Sequence, residues 1–141
     1  MENNIIRLHA TENRYFGYDQ EVPYIASLGN GFMLSEEFRK FMERGLELIH
    51  EKIKENGNLG WLVDARRMEV IDPNDKEWVV NHWNIKAYEA GLRFVAFVLP
   101  ENIFTLMNIE EYTEESTNNS ALTIHHFNDV ESAKNWLKEV V

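Results

Sequence analysis

The sequence predicts one α/β domain over residues 1–141, built on a mostly parallel sheet with N-terminal antiparallel strands and about four helices. Three observations lead there. Strand-like and helix-periodic segments alternate regularly along the second half of the chain, the pattern of parallel strands joined by crossover helices. Residues 61–100 read as one complete strand-loop-helix-strand unit with a carboxylate at each turn. No repeat, low-complexity tract or linker divides the sequence. A chain of 141 residues can bury a core without disulfides or metals.

The N-terminal part begins with a short strand over residues 5–8. Residues 15–18 and 22–28 form a hairpin, because two β-rich runs flank the polar turn at Asp19-Gln20. Pro23 lies near the start of its run, which suits a first or edge position. Gly29-Asn30-Gly31 ends that strand, and Ser35 caps a helix whose first turn carries Glu36 and Glu37. Phe38, Phe41, Met42, Gly45, Leu46, Ile49 and Ile53 recur at spacings of three and four and form its buried stripe. Asn56-Gly57 stops it.

Trp61-Leu62-Val63 is the next strand and ends at Asp64. Asp72 is the N-cap of the second helix, with Pro73 at the first helical position, where its missing N–H costs nothing. Gly91 closes that helix, and residues 94–99 form a buried strand that ends before Pro100. The chain then turns through Ile103-Phe104 into a short acidic helix over residues 109–115. Leu122-Thr123-Ile124 is the last strand. Asn128 and Glu131 open a final helix in the manner of a capping box, with Val130, Ala133, Leu137 and Val140 as its core stripe.

Composition removes several function classes. The absence of cysteine excludes disulfides, thiolate catalysis and cysteine–zinc sites. With 14 basic and 24 acidic residues the formal charge is −10, which repels nucleic acid and anionic membrane surfaces. The first residues lack the basic flank and apolar run of a signal peptide. No apolar run approaches the roughly 20 residues of a membrane span. The expectation is a cytoplasmic protein with no membrane insertion.

Candidate sites follow from where strands end, because ligands of open α/β sheets bind beyond the carboxyl ends of the strands. Asp64, Arg66 and Arg67 form the densest charged cluster in a predicted loop there. Asp72 and Asn74, with Asn30, Asn102 and Asn128, are expected on the same rim. The favoured reading is that Asp64 pairs with an arginine or caps a loop; the alternative is a small anionic ligand, which two arginines beside helix N-termini suit. Histidine chemistry finds no support. His125 and His126 are adjacent in a strand and point to opposite faces, while His9, His50 and His82 have no partner at metal-binding spacing. No metal and no cofactor is expected, and Ser35 lacks the sequence context of a nucleophile.

The second helix carries more apolar surface than one sheet contact needs. At 100° per residue Val79, Val80, Trp83, Ala87 and Ala90 share one side. Trp78, Ile85 and Tyr88 fall on the other, and that second face must be buried by a neighbouring element or by a partner. Trp and Tyr are enriched at interface cores, so these three residues are the candidate interface.

At Leu62-Val63-Asp64 followed by Val70-Ile71-Asp72-Pro73-Asn74-Asp75 the chain resembles the STAS domain superfamily, the fold of the anti-sigma-factor antagonists. Members carry a strand ending in Asp, a short loop, a hydrophobic residue and an Asp-Ser-Ser-Gly-like tetrapeptide opening a helix. The likeness is greatest to the divergent SpoIIAA-like, or STAS/Sec14-like, branch. Trp78, Trp83, Ala90-Gly91, Pro100-Glu101-Asn102 and Ala133-Lys134-Asn135-Trp136-Leu137 carry it further, over roughly residues 22–137. It implies a SpoIIAA-like fold and a regulatory role. In the antagonists a Ser at the helix start accepts phosphate. Here those two positions are Pro73 and Asn74, and Asp75 stands where the family has Gly.

The expectation is therefore a non-enzymatic module that binds a protein partner or homodimerises. The alternative, implied by the Sec14-like side of the resemblance, is a carrier of a small apolar or lipid ligand lined by Phe104, Leu106, Met107 and Tyr112. An enzyme is disfavoured, since no nucleophile or acid-base pair has recognisable spacing. Incubation with an anti-sigma-type kinase and peptide mapping should find no phosphate on residues 72–78, which contain no hydroxyl. Stoichiometric label there would overturn the alignment.

Overall fold

A computed structural model of the chain describes residues 5–141; the signal-peptide reading rests partly on residues 1–4, which lie outside them. Strands β1 (Ile5–Ala10), β2 (Arg14–Asp19), β3 (Tyr24–Gly29), β4 (Gly60–Asp64), β5 (Phe94–Val98) and β6 (Thr123–Phe127) form one six-stranded sheet. Their spatial order is their order in the chain. β1, β2 and β3 pair antiparallel, whereas β3 to β6 run parallel. The expected mixed sheet is what forms, with the antiparallel strands at its N-terminal edge.

Helix α1 (Ser35–Asn56), the rod α2 (Pro73–Trp78) and α3 (Asn84–Ala90), and helix α4 (Ile103–Asn119) supply one core with the sheet. Helix α5 (Val130–Val140) packs on the opposite face, where Ala133 and Leu137 meet Tyr24, Ala26, Leu62, Ala96 and Val98. β4 and β5 thus lie between helices on both faces, which is why they read as nearly continuous apolar runs. β6 alternates instead. His125 stacks on Trp136 of α5 at 4.4 Å, and Nε2 of His126 lies 2.7 Å from Thr113 Oγ1 of α4. Burial lowers the pKa of His126, the charge of Glu110 opposing that shift.

Several boundaries differ from the sequence reading. The β2–β3 turn takes Val22 and Pro23 out of the strand, because Asp19 Oδ1 accepts hydrogen bonds from the N–H groups of Glu21 and Val22. α4 has 17 residues, not a turn and a short helix. Asn102 starts it by accepting from the N–H groups of Phe104 and Thr105, a cap hidden by the exposed apolar residues that follow. α5 is capped by Asp129, not Asn128, through the Ser132 N–H at 2.7 Å. That bond holds the Asp129 carboxyl below its usual pKa. Ser35 makes no cap; the N-cap of α1 is Leu34, with no side-chain bond.

Between α2 and α3 the rod contains a π-helical turn, Val79–Trp83, whose wider i to i+5 bonding interrupts the 3.6-residue period. It seats Val79, Val80 and Trp83 in the core. Trp83 packs tilted against Trp61, ring centroids 5.3 Å apart, and donates its Nε1–H to the Met42 carbonyl at 2.7 Å. A second polar tie joins α3 to α4. Asn84 is fully buried, donating to Ser116 Oγ and accepting from the Tyr112 hydroxyl, each at 2.8 Å. Burial pushes the Tyr112 pKa up to about 12, so it stays a donor.

Helix α1 approaches the sheet most closely at Gly45, where an added Cβ would lie 2.9 Å from Trp61 and 3.0 Å from Phe16. Gly45→Ala tests that contact. Helix propensity favours Ala by up to about 1 kcal/mol, while overpacking costs about 1–3 kcal/mol. The expected net result is a lower urea midpoint. An unchanged or higher midpoint would mean that Trp61 and Phe16 move aside at no cost.

Candidate functional site

The carboxyl ends of β3, β4, β5 and β6 open onto a cleft of about 650 Å³. Leu28, Gly29 and Asn30 follow β3; Asp64, Arg66 and Arg67 follow β4; Leu99, Glu101 and Asn102 follow β5; Asn128 follows β6; and Asn13 and Tyr15 close it from the β1–β2 side. Parallel strands create this rim by ending together, and each then turns away toward its helix. The structure therefore brings together Asp64, Arg66, Arg67, Asn30, Asn102 and Asn128, as their strand positions predict.

Inside the cleft the charges are largely matched. The Arg66 guanidinium grips Asp64 in a bidentate pair, Nε to Oδ1 at 2.9 Å and Nη2 to Oδ2 at 2.6 Å. The backbone N–H of Arg66 also reaches Oδ1. Asp64 is nearly buried while Arg66 is exposed, so the pair orients the loop and contributes little net charge to a ligand. The N-terminal amides of α4 and α5 are partly taken by Asn102 and Asp129. Arg67 is exposed, and its carbonyl accepts from the Gly31 N–H at 2.8 Å.

Asp72 and Asn74 lie outside this cleft. Asp72 Oδ1 accepts from the Asn74 N–H at 2.8 Å and caps α2, with Pro73 at the first helical position as expected. Asp75 is the distinctive residue there. It is only 1% exposed, accepting from Ser35 Oγ at 2.7 Å and from Arg39 Nε at 2.9 Å. Where the resembled family has Gly, this chain has a buried carboxylate that ties the start of α2 to the start of α1.

The candidate interface residues have separate environments. Trp78 and Tyr88 are half-buried against the core. The Arg39 guanidinium lies over Trp78 at 5.2 Å and that of Arg93 over Tyr88 at 3.7 Å. Ile85 is 44% exposed. The π turn falls between Trp78 and Ile85, so the uninterrupted spacing assumed for these residues does not hold. The expected carrier pocket is also corrected. Tyr112 is buried, Leu106 is half-buried, and Phe104 and Met107 are exposed, because α4 begins six residues earlier than the sequence reading placed it.

A different apolar surface emerges beside the cleft. Among the described residues, six of the eight exposed large hydrophobics fall on three segments: Phe32 and Leu34, Val70, and Ile103, Phe104 and Met107. These segments are stitched together. Gly31 bridges to Met68, Thr105 Oγ1 donates to the Met68 carbonyl at 3.4 Å, and the Ile71 N–H donates to Asn108 Oδ1 at 3.1 Å. Exposed apolar residues gathered in this way mark interaction surfaces. Phe32 and Leu34 stood in the sequence as apolar residues inside a loop, outside any periodic stripe, and that was their signal.

No protein-family model and no curated protein matches the sequence. Among solved structures, apo-SiaC from Pseudomonas aeruginosa is similar, with a TM-score of 0.54 at 9% identity over 86% of this chain and 97% of that one. The likeness establishes a SpoIIAA-like α/β fold. Among the described residues, no helix is long and apolar enough to cross a membrane.

Asp75→Asn tests the tie between α1 and α2. It leaves Arg39 without its charged partner and weakens the acceptor for Ser35. The expected loss is about 1–3 kcal/mol, the cost of disturbing a buried hydrogen-bonded charge, read as a lower urea midpoint. Wild-type stability in that variant would reduce the tie to a surface contact.

Proposed function

We propose that this chain is a non-enzymatic, STAS-related regulatory module that works by docking a protein partner on the rim beyond the carboxyl ends of its strands. The observation that carries this reading is the clustering of Phe32, Leu34, Val70, Ile103, Phe104 and Met107 on three hydrogen-bonded segments beside the Arg66–Arg67 cleft. Apolar side chains supply anchors at the centre of an interface, and a polar rim supplies register. Asp64 and Arg66 hold the cleft loop in shape, so the surface is ready before the partner arrives, which lowers the ordering cost of association.

Two features support a role without chemistry. The phosphoacceptor positions of the resembled antagonists are Pro73 and Asn74 here, and Asp75 is buried rather than displayed, so a phospho-switch at this helix start is chemically unavailable. Self-association is the form of this reading in which the partner is a second copy, and a two-fold dimer is the commonest geometry for it. The Ile85 surface of α3 is the competing contact.

Native mass spectrometry of the protein purified from its own host, with sedimentation velocity, tests the reading. The variants are Phe32→Asp with Phe104→Asp, and separately Ile85→Glu. All three side chains are exposed, so each variant should keep the wild-type circular dichroism. The rim variant should lose a retained partner or the self-associated species by at least about tenfold, as for removal of interface anchors, while Ile85→Glu keeps it. Equal retention by the rim variant and the wild type would overturn the proposal. So would a wild type that is monomeric and partner-free.

A further inference from the structure

Arg14 is a buried cation with no carboxylate at ion-pair distance among the described residues. It sits at the start of β2 opposite Gly29 and is 7% exposed. Its side chain lies over Gly29, where an added Cβ would fall 2.5 Å from Nη1, so the bare glycine makes the space it occupies. Nη2 donates to the Gly31 carbonyl at 3.0 Å. Nε is buried with no hydrogen-bond partner among the described residues. Desolvation lowers the pKa of this guanidinium, as expected for a charge removed from water without an anion beside it.

The same side chain lines a partly open pocket of about 70 Å³ between the sheet and the three helices on its α1 face. Phe41, Trp61, Val79 and Trp83 are among its apolar walls, and Ser27, Thr105 and Asn108 are its other polar residues. Thr105 and Asn108 already bond the 68–71 segment. Ser27 lies on the strand next to Arg14 and on the same sheet face, so its hydroxyl offers a second donor.

We infer that this cavity binds a small monocarboxylate with a short apolar tail, the carboxylate on Arg14 and the tail against Phe41, Trp61 and Val79. Charge, size and wall chemistry each argue for that class. A buried guanidinium is costly unless an anion and hydrogen bonds compensate it, and a carboxylate oxygen is the acceptor that Nε lacks. At about 30 Å³ per water the enclosed space holds about two waters, which fits a carboxylate, and the open side of the pocket leaves room for a short tail. Phosphate or sulfate would turn its remaining oxygens toward hydrocarbon with no donor to meet them. The site adjoins the rim, sharing Met68, Thr105 and Asn108 with its segments, but the inference does not depend on the docking reading.

Trp61 and Trp83 both line the cavity, so tryptophan fluorescence of the full chain reports its occupancy. Titration with butyrate should give a saturable change. Butyramide, the uncharged analogue, should bind at least about tenfold more weakly, the expected worth of a charge-assisted hydrogen bond. Arg14→Met should lose butyrate by a similar factor, and Arg14→Lys should retain part of the affinity. Sodium sulfate at matched ionic strength should leave the emission unchanged. The inference is overturned by no saturable response to butyrate, by equal binding of butyramide, by the same response to sulfate, or by wild-type affinity in a folded Arg14→Met. Should Arg14→Met fail to fold, the butyrate and butyramide comparison on the wild type decides alone.

Discussion

The structure depends on the close approach of α1 to the centre of the sheet at Gly45. Trp61, 2% exposed, occupies the space that a side chain at Gly45 would need, and Phe16 fills the rest. Phe41 then stacks on Phe16 at 4.0 Å, and Trp83 packs against Trp61 from the other side. Because Trp83 also bonds the Met42 carbonyl, one aromatic cluster sets the height of α1, the position of the π turn and the depth of the core together. A regular α-helical turn would change the register at which Val79, Val80 and Trp83 meet that cluster. The π turn is the local adjustment that lets them do so.

That arrangement also shapes the carboxyl edge of the sheet. With α1 held low over β2 and β4, the loop before it leaves the sheet at Gly31, whose φ of 81° is one that glycine adopts without strain. Gly31 accepts Arg14, receives nothing bulky in return and bridges to Met68. Phe32 and Leu34 are carried outward, next to the start of α4. Asn102 and Asp129 satisfy helix amides with their own side chains, and Arg66 satisfies Asp64. The polar groups at this edge are therefore largely matched within the chain, while its apolar groups face solvent. Exposed apolar groups of this kind support the proposed docking role.

Charge organisation follows the same division. The solvated face of α1 is laced by Arg44 with Glu47 and Glu51 and by Lys52 with Glu55. Lys76 reaches Glu111 and Glu115 across the helical layer. Burial opposes its ionisation, yet the hydrogen bonds to those glutamates raise its pKa. On the far face Lys134 lies 3.2 Å from Asp19, a carboxylate with no exposure that also holds the β2–β3 turn. Of these pairs, Lys134–Asp19 fastens a helix to the sheet, while the others lie within α1 or join α2 to α4.

Local pattern determined the order of strands and helices, the mixed sheet and the rim where its parallel strands end. Those follow from short-range rules: the apolar runs of β4 and β5, the 3.6-residue stripe of α1, Pro73 at a helix start, and Gly57 and Gly91 at helix ends with positive φ. The meeting of Asp64, Arg66, Asn30, Asn102 and Asn128 was legible for the same reason, since parallel strands put their following loops on one edge. The early start of α4 rests on the local Asn102 cap, whereas tertiary structure alone decided the π turn and the withdrawal of Asp75 into a bond with Ser35. It also brought Phe32, Val70 and Phe104 onto neighbouring segments and left Arg14 inside with no counter-ion among the described residues. Each of these depends on contacts between residues 15 to 75 positions apart, where packing volume and unmatched polar groups decide the outcome and no periodicity along the chain records it.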